Sequence, residues 1–329
     1  MPDPIPTTPA AFPRNKRRLL FVSAVATLLS ISGCVSDDEV DKATNQFVQA
    51  ATTLTHDYQS LLANANTVEA NNYIVNQTFA AEPINDPGIK GSAVLSADEI
   101  KSRGDAIKAL TDYTTALATL AAGKPGDQIQ ADVATASTSA KSVTTGITTL
   151  VVTPPKGAKA PDFGTPAAAA ATAIGDVLKV IENHRSASEI RASIKENDAK
   201  ITPLYKALED ESTFYFERQT SQMRLVEITL LHTYNVAIAA KPVDQAQLLQ
   251  LSDHLEQYEK DSAALETSDP TAAIKGFESA HAALVDLVTA VKPEEKKKFL
   301  AELIAQVKSF AAEVKTPSKS SSTTTNPTS

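Results

Sequence analysis

The amino-acid sequence predicts an all-α protein, an elongated helical bundle of about eight helices, some of them long and coiled-coil-like. Apolar residues recur at alternating four- and three-residue spacing along several segments, which is the pattern of long bundle helices. Of the 329 residues, 42% are hydrophobic but only 5% are aromatic. The apolar residues are therefore mostly Ala, Val, Leu and Ile, a mixture that favours closely packed helices over an aromatic-rich β-sandwich. No unit of about 20–50 residues repeats, so a bundle is the simplest architecture.

The first predicted helix covers residues 37–81 and would be about 65 Å long at 1.5 Å per residue. Ser36 and Glu39 have the spacing of a capping box at its start, and Pro83 is the first helix breaker after it. Two rows of residues follow the heptad spacing and predict one buried face. The first row is Val40, Phe47, Leu54, Leu61, Val68 and Val75, and the second is Thr44, Ala51, Tyr58, Ala65, Asn72 and Phe79.

Residues 82–96 contain two Pro and two Gly and predict a loop. This loop is long for a connection in a bundle, and long loops carry binding roles more often than short ones do. Ser96 and Glu99 then repeat the capping-box pattern, which predicts the start of a second helix over about 97–122.

A third helix is expected from about residue 127, because its period favours a helix over a strand at 142–152. Residues 153–166 have no periodicity and contain four Pro, which predicts a linker. This linker either joins an N-terminal helical lobe (34–152) to a C-terminal helical lobe (167–315) or crosses a single bundle from end to end.

The C-terminal part begins with an Ala-rich helix near Pro166. Thr202 and Pro203 have the pattern of a helix start, with Thr as the N-cap and Pro in the first position, so another helix is expected from there to about residue 240. Three more helices are expected, at 244–266, 271–291 and 293–315. Residues 316–329 are rich in Ser and Thr and predict a disordered tail.

Composition and motifs exclude several functional classes. The net charge of −8 argues against a general nucleic-acid-binding protein. The single cysteine excludes an internal disulfide, a cysteine-based zinc site and a cysteine redox pair. The sequence contains no phosphate-binding loop, no dinucleotide-binding fingerprint and no nucleophile elbow. We therefore expect no enzymatic activity, no cofactor and no metal.

The histidines and the paired carboxylates are expected to be structural. No two histidines have metal-ligand spacing along a helix, and His281 lies on an apolar stripe, so we expect hydrogen-bonded imidazoles at the core or its boundary. The five histidines are His56, His184, His232, His254 and His281. Acidic pairs are expected on solvated helix faces, namely Asp210 and Glu211, Glu217 and Glu227, and Glu294 and Glu295.

Phe214, Tyr215 and Phe216 are candidate partner-binding residues. They are consecutive on a predicted helix, where Phe214 and Phe216 point about 200° apart, so one shallow core face cannot bury both. Further along, the apolar residues Leu225, Val226, Ile228, Leu230 and Leu231 also cover a wide arc. Either this helix is central and surrounded by neighbours, the alternative we favour, or it carries an exposed apolar patch for a partner.

Asn72 is a further candidate for partner binding. It lies on the seam of the first helix, among a group of asparagines comprising Asn64, Asn66, Asn71, Asn72 and Asn76. A buried asparagine on a seam can set register or oligomeric state. The alternative, which we favour, is a loosely packed segment that faces solvent.

The N-terminal segment carries the most specific motif. Residues 14–18 are Arg-Asn-Lys-Arg-Arg, residues 19–30 are an apolar stretch too short to span a bilayer comfortably, and Ile31-Ser32-Gly33-Cys34 follows. This arrangement resembles the signal peptides of bacterial lipoproteins, whose lipobox places an aliphatic residue, a small residue and Gly or Ala before the cysteine. The resemblance implies that residues 1–33 are a signal peptide that is removed and that Cys34 becomes the lipid-bearing first residue.

The same resemblance implies an envelope location and a membrane contact through the lipid on Cys34. Val35 stands where an Asp would suggest retention in the inner membrane, so the periplasmic face of the outer membrane is mildly preferred. Residues 1–33 hold four basic residues and one acidic residue, so their removal changes the net charge from −8 to −11. Anionic headgroups would repel such a chain, which leaves the lipid alone to hold it.

These observations together predict a membrane-anchored lipoprotein of the cell envelope, non-catalytic, with a structural or protein-interaction role and an envelope protein as partner. One alternative is a ligand-binding or sensing helical bundle in the periplasm, for which a closed pocket lined by Tyr and His would be the mark. A second alternative is an envelope hydrolase with its site in loop 82–96 or 153–166.

Overall fold

The computed structural model describes residues 37–80, 82–148, 161–183, 185–266 and 268–314. Within these ranges all regular structure is helical, in nine helices and no strand, which confirms the all-α bundle. The helices are α1 (Asp37–Ala80), α2 (Asp86–Gly91), α3 (Ala97–Ala121), α4 (Gly126–Thr148), α5 (Gly164–Glu182), α6 (Ala187–Ala239), α7 (Gln245–Glu266), α8 (Thr271–Thr289) and α9 (Pro293–Glu313). None of these helices is both long and apolar enough to cross a membrane.

Most of the helices share one hydrophobic core. Buried residues from Val40 to Phe310 form a single cluster to which α1, α3, α4, α5, α6, α8 and α9 all contribute. α3 packs against α4, α1 and α8, and α5 lies between α4 and α6. The core thus includes residues from both predicted lobes. The segment 149–160 lies outside the described residues, and α5 already begins at Gly164, within the predicted linker.

The heptad rows of α1 form its buried face only along the first part of the helix. Val40, Phe47, Leu54 and Leu61 of the first row are buried, as are Ala51, Tyr58 and Ala65 of the second. Beyond Ala65 the rows are only half-buried, at Val68, Asn72 and Val75. α1 therefore extends past the core.

One predicted cap is confirmed, and one short helix was missed. At the start of α3, Ser96 N donates to Glu99 Oε2 (2.7 Å) and Glu99 N donates to Ser96 Oγ (3.2 Å), so the predicted capping box is present. Ser36 lies outside the described residues. Within loop 82–96 the structure has α2, which is capped by Asn85 through its side chain.

The predicted helix start at Thr202 and Pro203 is wrong. α6 runs without a break from Ala187 to Ala239, with Pro203 inside it. α6 instead begins after a capping box formed by Ser186 and Glu189. The Ala-rich helix predicted from Pro166 therefore ends earlier, because α5 stops at Glu182. A proline inside a helix loses one backbone hydrogen bond, and here the buried residues on either side, Ile201, Leu204 and Tyr205, hold the helix together. In the described part of the chain, α1 and α6 are the helices longer than thirty residues.

The substitution Pro203→Ala tests this geometry. Pro203 is exposed and lies inside α6, so alanine restores a hydrogen bond and removes the steric conflict without disturbing the core. We expect the free energy of unfolding to rise by about 1–3 kcal/mol, measured by urea denaturation. The control is Pro293→Ala at the first position of α9, where proline is well accommodated and no gain is expected. An unchanged or lowered stability of Pro203→Ala would contradict this account.

Candidate functional site

The centre of the bundle contains a buried ion pair. Arg103 on α3 and Glu211 on α6 are 2% and 0% exposed. The guanidinium donates through Nε to Glu211 Oε2 (2.8 Å) and through Nη2 to Oε1 (2.6 Å), and Tyr58 on α1 donates to the same Oε2 (2.7 Å). A further bond joins Arg103 Nη1 to the carbonyl oxygen of Glu99 (2.9 Å), and the ring of Phe163 lies 4.8 Å from the guanidinium carbon. The pair thus connects three helices.

The electrostatics of this site follow from its burial. Burial alone would lower the pKa of Arg103, but the hydrogen bonds and the charge of Glu211 outweigh this and hold the pKa above its usual value. Burial, followed by the neighbouring Glu211, raises the pKa of Tyr58 well above its usual range. Both oxygens of Glu211 are used by these bonds, so the pair is a structural connection between helices.

A second polar group lies within the core around His281, on α8. The imidazole is 2% exposed, its Nδ1 lies 3.2 Å from the hydroxyl of Thr114, and its Nε2 lies 3.3 Å from Asp198 Oδ1. Tyr113 and Tyr205 both pack against the imidazole, with ring centroids 5.8 and 5.6 Å from that of His281. His281 is therefore a hydrogen-bonded core residue, as predicted.

One part of the chain leaves this core. We call the second half of α6 (220–239) together with α7 (Gln245–Glu266) the extension. α7 packs mainly against α6, and only Ala237 and Leu265 of the extension are fully buried among apolar residues. Apolar side chains of α6 that would be buried inside the core are therefore exposed on the extension.

The exposed apolar side chains of α6 lie on one side of the helix. Leu225 and Ile228 are each 56% exposed. The five exposed apolar side chains of α6, which we call the apolar stripe, span about 160° of the helix surface at 3.6 residues per turn. It comprises Leu225, Ile228, Leu231, Val236 and Ile238. Between Ile228 and Ser252 the only charged residues are Lys241 and Asp244, so this end of the molecule also has few charges.

The opposite side of α6 forms a groove of about 510 Å³ with α1 and α7. Its apolar walls come from Val68 and Val75 on α1, from Met223 and Val226 on α6, and from Leu265 on α7. His254 and Tyr258 of α7 also line it. The groove is open along one side, and is thus not the closed pocket that would be the mark of the ligand-binding alternative.

The sequence-predicted candidates occupy different environments. Tyr215 is buried, whereas Phe214 and Phe216 on either side are half-buried. Asn72 is half-buried and donates a hydrogen bond to Gln222 on α6, so it contacts a neighbouring helix within the same chain. Cys34 lies outside the described residues.

The expectation that the aromatic helix is central holds only in part. Residues of α6 up to Gln219 contribute to the core, but the apolar arc from Leu225 onwards is exposed, because no neighbour covers that side of the extension. The favoured prediction is therefore wrong for this half of the helix, and the exposed patch is present. Periodicity shows how wide an apolar face is but does not show how many helices surround it.

Glu211 also corrects a prediction. It was expected on a solvated face with Asp210, and the structure buries it completely against Arg103. A signal was present in the sequence. Arg103 has helical spacing with the apolar Ile107, and Glu211 has it with Leu208, so each of two helices carried one charge, of opposite sign, on an apolar stripe.

Asn66 is a structural residue that sequence reasoning missed. Its Oδ1 accepts hydrogen bonds from the backbone N–H groups of Val94 (2.9 Å) and Leu95 (3.0 Å), and its Nδ2 donates to the carbonyl of Leu95 (2.6 Å). One asparagine thus holds the end of loop 82–96 on α1. Nothing in the spacing of the asparagines distinguishes Asn66 from its neighbours.

The remaining histidines do not converge. His56, His232 and His254 are exposed, so the expectation of a place in the core or at its boundary is wrong for these three histidines. His184 lies outside the described residues. In the described part of the chain, no three His, Cys, Asp or Glu side chains are placed to hold a metal ion together.

Comparisons of the chain with models of protein families, with curated proteins and with solved structures give no match.

The ion pair makes a specific prediction about stability. Glu211→Gln leaves the buried guanidinium without its counter-charge, and we expect it to lower the free energy of unfolding by about 3–5 kcal/mol. Replacing all three groups together (Arg103→Met, Glu211→Leu and Tyr58→Phe) removes every buried polar atom of the cluster and should restore most of that loss. Urea denaturation followed by circular dichroism measures both.

An exposed pair provides the control for this experiment. Lys90 and Asp86 form an ion pair with both side chains exposed, so Lys90→Met should change stability by less than about 1 kcal/mol. A triple variant that is less stable than Glu211→Gln would show that packing, and not charge pairing, determines the effect.

The core tyrosines make a prediction about pH. Burial first, and then nearby carboxylates, raise the pKa values of Tyr58, Tyr113, Tyr205 and Tyr215 above the usual 10.0. Because the unfolded chain releases these protons at lower pH than the folded protein, stability should be complete below about pH 10 and fall as the pH rises. We expect four of the seven tyrosines to show tyrosinate absorbance only together with the loss of helical circular dichroism. Tyrosinate absorbance from all seven before unfolding would contradict the burial of these rings.

Proposed function

We propose that this protein is a lipid-anchored lipoprotein of the bacterial cell envelope whose extension holds a partner protein at a distance from the membrane. The observation that carries the proposal is the apolar stripe, a nearly uncharged helix face at the end of an acidic helical molecule. Exposed apolar patches on soluble domains are typical of interaction surfaces.

The direction of the helices supports a spacing role. α1 and α6 run parallel, since Tyr58, Glu69 and Asn72 of α1 meet Glu211, Arg218 and Gln222 of α6 in the same order. The part of α1 from its start to Asn72 and the part of α6 from Gln222 to its end together have a length on the order of 80 Å at 1.5 Å per residue. The start of α1 and the end of α6 therefore lie at opposite ends of this helix pair, and Cys34 precedes the start of α1 by three residues in the sequence.

Electrostatics support a protein partner in place of a second membrane contact. The chain that follows the proposed cleavage site has a net charge of −11, which anionic lipid surfaces repel. The apolar stripe lies along the side of α6, a shape that suits a second helix or an apolar groove on another protein. In the proposed location, the lipid anchor lies in the outer membrane and the helical part of the protein lies on the periplasmic side of that membrane.

The experiment has two readouts in intact cells, lipid labelling and photo-crosslinking. Cells that express the protein incorporate radioactive palmitate, and we expect the label on the wild-type protein and none on Cys34→Ala. A photo-crosslinking amino acid at Ile228 should give an adduct of one defined size with an envelope protein identified by mass spectrometry. The same amino acid at the exposed Ala134 on α4 is the control and should give no such adduct.

Each readout can fail separately. Palmitate label that persists in Cys34→Ala, or is absent from both proteins, would contradict the lipid anchor. Identical patterns from Ile228 and Ala134 would contradict the role of the apolar stripe, and an adduct with a second copy of this chain would replace the proposed partner by self-association.

A further inference from the structure

The groove between α1, α6 and α7 has the shape of a position in a bundle that lacks its helix. α6 forms the floor, and α1 and α7 each pack against α6 and form the walls. The lining residues run from Asn64 to Val75 on α1 and from Gln219 to Leu230 on α6. Each of these stretches is about 16 Å long at 1.5 Å per residue, or about three helical turns. A helix of that length from outside the chain would complete a four-helix arrangement.

The spacing of the lining residues also favours a helix. Each of the seventeen lining residues has another lining residue seven positions before or after it. Side chains recur at this spacing where helices pack alongside one another, and an incoming helix with a heptad pattern has the matching repeat. Pairs of this kind on α1, α6 and α7 are Val68 and Val75, Met223 and Leu230, and Tyr258 and Leu265.

The lining is apolar at its base and polar at its rim. The apolar lining residues are half-buried or buried, with the exception of Ala264, and so is Tyr258. An amphipathic helix fits this profile, because its apolar face would meet the base while its polar flanks reach the rim. The exposed polar lining residues are Asn64, Thr67, Asn71, His254, Gln257 and Asp261.

The charge of the rim favours a cationic helix. α7 has five acidic residues and a single basic residue, Lys260, which pairs with Glu256. Asp261 lines the groove, and Asp253 lies one helical turn before the lining residue Gln257. No Lys or Arg is among the described residues that line the groove. Basic side chains on an incoming helix would therefore meet carboxylates, whereas acidic side chains would be repelled.

Other segments of this chain do not supply such a helix. Residues 315–329 contain no Val, Leu, Ile, Met or Phe, and residues 149–160 contain two Pro and one Gly. Residues 1–33 are absent from the chain that follows the proposed cleavage site. The apolar stripe of a second copy has few charges near it and so lacks the basic flanks. These observations favour a helix of another protein.

We propose that the groove binds a cationic amphipathic helix of another protein, with apolar residues in a heptad pattern and Lys or Arg on its flanks. The groove lies on the side of α6 opposite to the apolar stripe, so the two surfaces are separate. The inference rests on the proposed function only for the removal of residues 1–33.

The test uses a model peptide and a control peptide of opposite charge. The model peptide has three heptads, each Leu-Lys-Ala-Leu-Lys-Ala-Lys, and the control has Glu in place of every Lys. The protein is the chain from position 34 onward with Cys34→Ala, and binding is followed by chemical shifts of ¹³C-labelled methyl groups at about 0.15 M salt. We expect the Lys peptide to bind with a Kd below about 100 μM, and the Glu peptide at least about tenfold more weakly. Shifts should appear at Val75, Val226 and Leu265 and not at Leu225.

Two matched pairs of variants separate the groove from general attraction to an acidic protein. Val226→Lys places a cation in the groove, and Leu225→Lys places the same charge on the opposite face of α6. We expect Val226→Lys to weaken binding of the Lys peptide at least about tenfold, and Leu225→Lys less than about twofold. Asp261→Asn removes a carboxylate from the rim, whereas Glu259→Gln removes an exposed carboxylate outside the lining. Only Asp261→Asn should weaken binding, by about two- to threefold.

Several results would overturn the proposal. These are the absence of saturable binding below about 1 mM, equal binding of the two peptides, equal effects within either pair of variants, or shifts confined to the apolar stripe. Dimers of the protein alone that sedimentation detects and Val226→Lys abolishes would assign the groove to a second copy. Circular dichroism of each variant shows that the helical content is retained. The peptide experiment contains no lipid, so its result is independent of the palmitate labelling.

Discussion

The buried ion pair between Arg103 on α3 and Glu211 on α6 fixes where α6 lies along the bundle, and the point at which α6 leaves the core follows from it. A carboxylate and a guanidinium that are both shielded from water are tolerable only when each satisfies the other. A shift of α6 by one residue would turn Glu211 towards a different neighbour and leave two buried charges unpaired. Tyr58 extends the same constraint to α1 through its bond to Glu211.

This register determines where α6 leaves the core. Once Glu211 lies against Arg103, the residues up to Gln219 are covered by neighbouring helices, and the twenty residues that follow extend beyond them. Only α7 and the last turns of α1 accompany them, so one side of α6 lines a groove and the other is exposed. The apolar stripe and Gln219 thus owe their positions to an ion pair that neither of them contacts.

The sequence predicted most of the fold because the governing interactions are local. The start of α3 follows from Ser96 and Glu99, and the ends of α1, α7, α8 and α9 lie within two residues of those expected from periodicity and breakers. Pro203 misled the prediction, since packing of its neighbours outweighs a lost hydrogen bond. The sequence shows that Arg103 and Glu211 each lie on an apolar stripe, but the two residues are 108 positions apart, so it does not show that they pair. It also does not show how many helices surround each side of α6, which determines that Gln219 is buried.

Hydrogen–deuterium exchange of the full chain, resolved along α6, tests most directly the claim that one helix passes from a locked core into an uncovered extension. If Glu211 holds the first part, amides from about Asn197 to Gln219 should exchange only in the rare global unfolding of the bundle. Amides beyond Arg224 and throughout α7 should exchange much faster, by local opening of two helices that bury little apolar surface. Equal protection on both sides of Gln219, or faster exchange on the Glu211 side, would contradict the account.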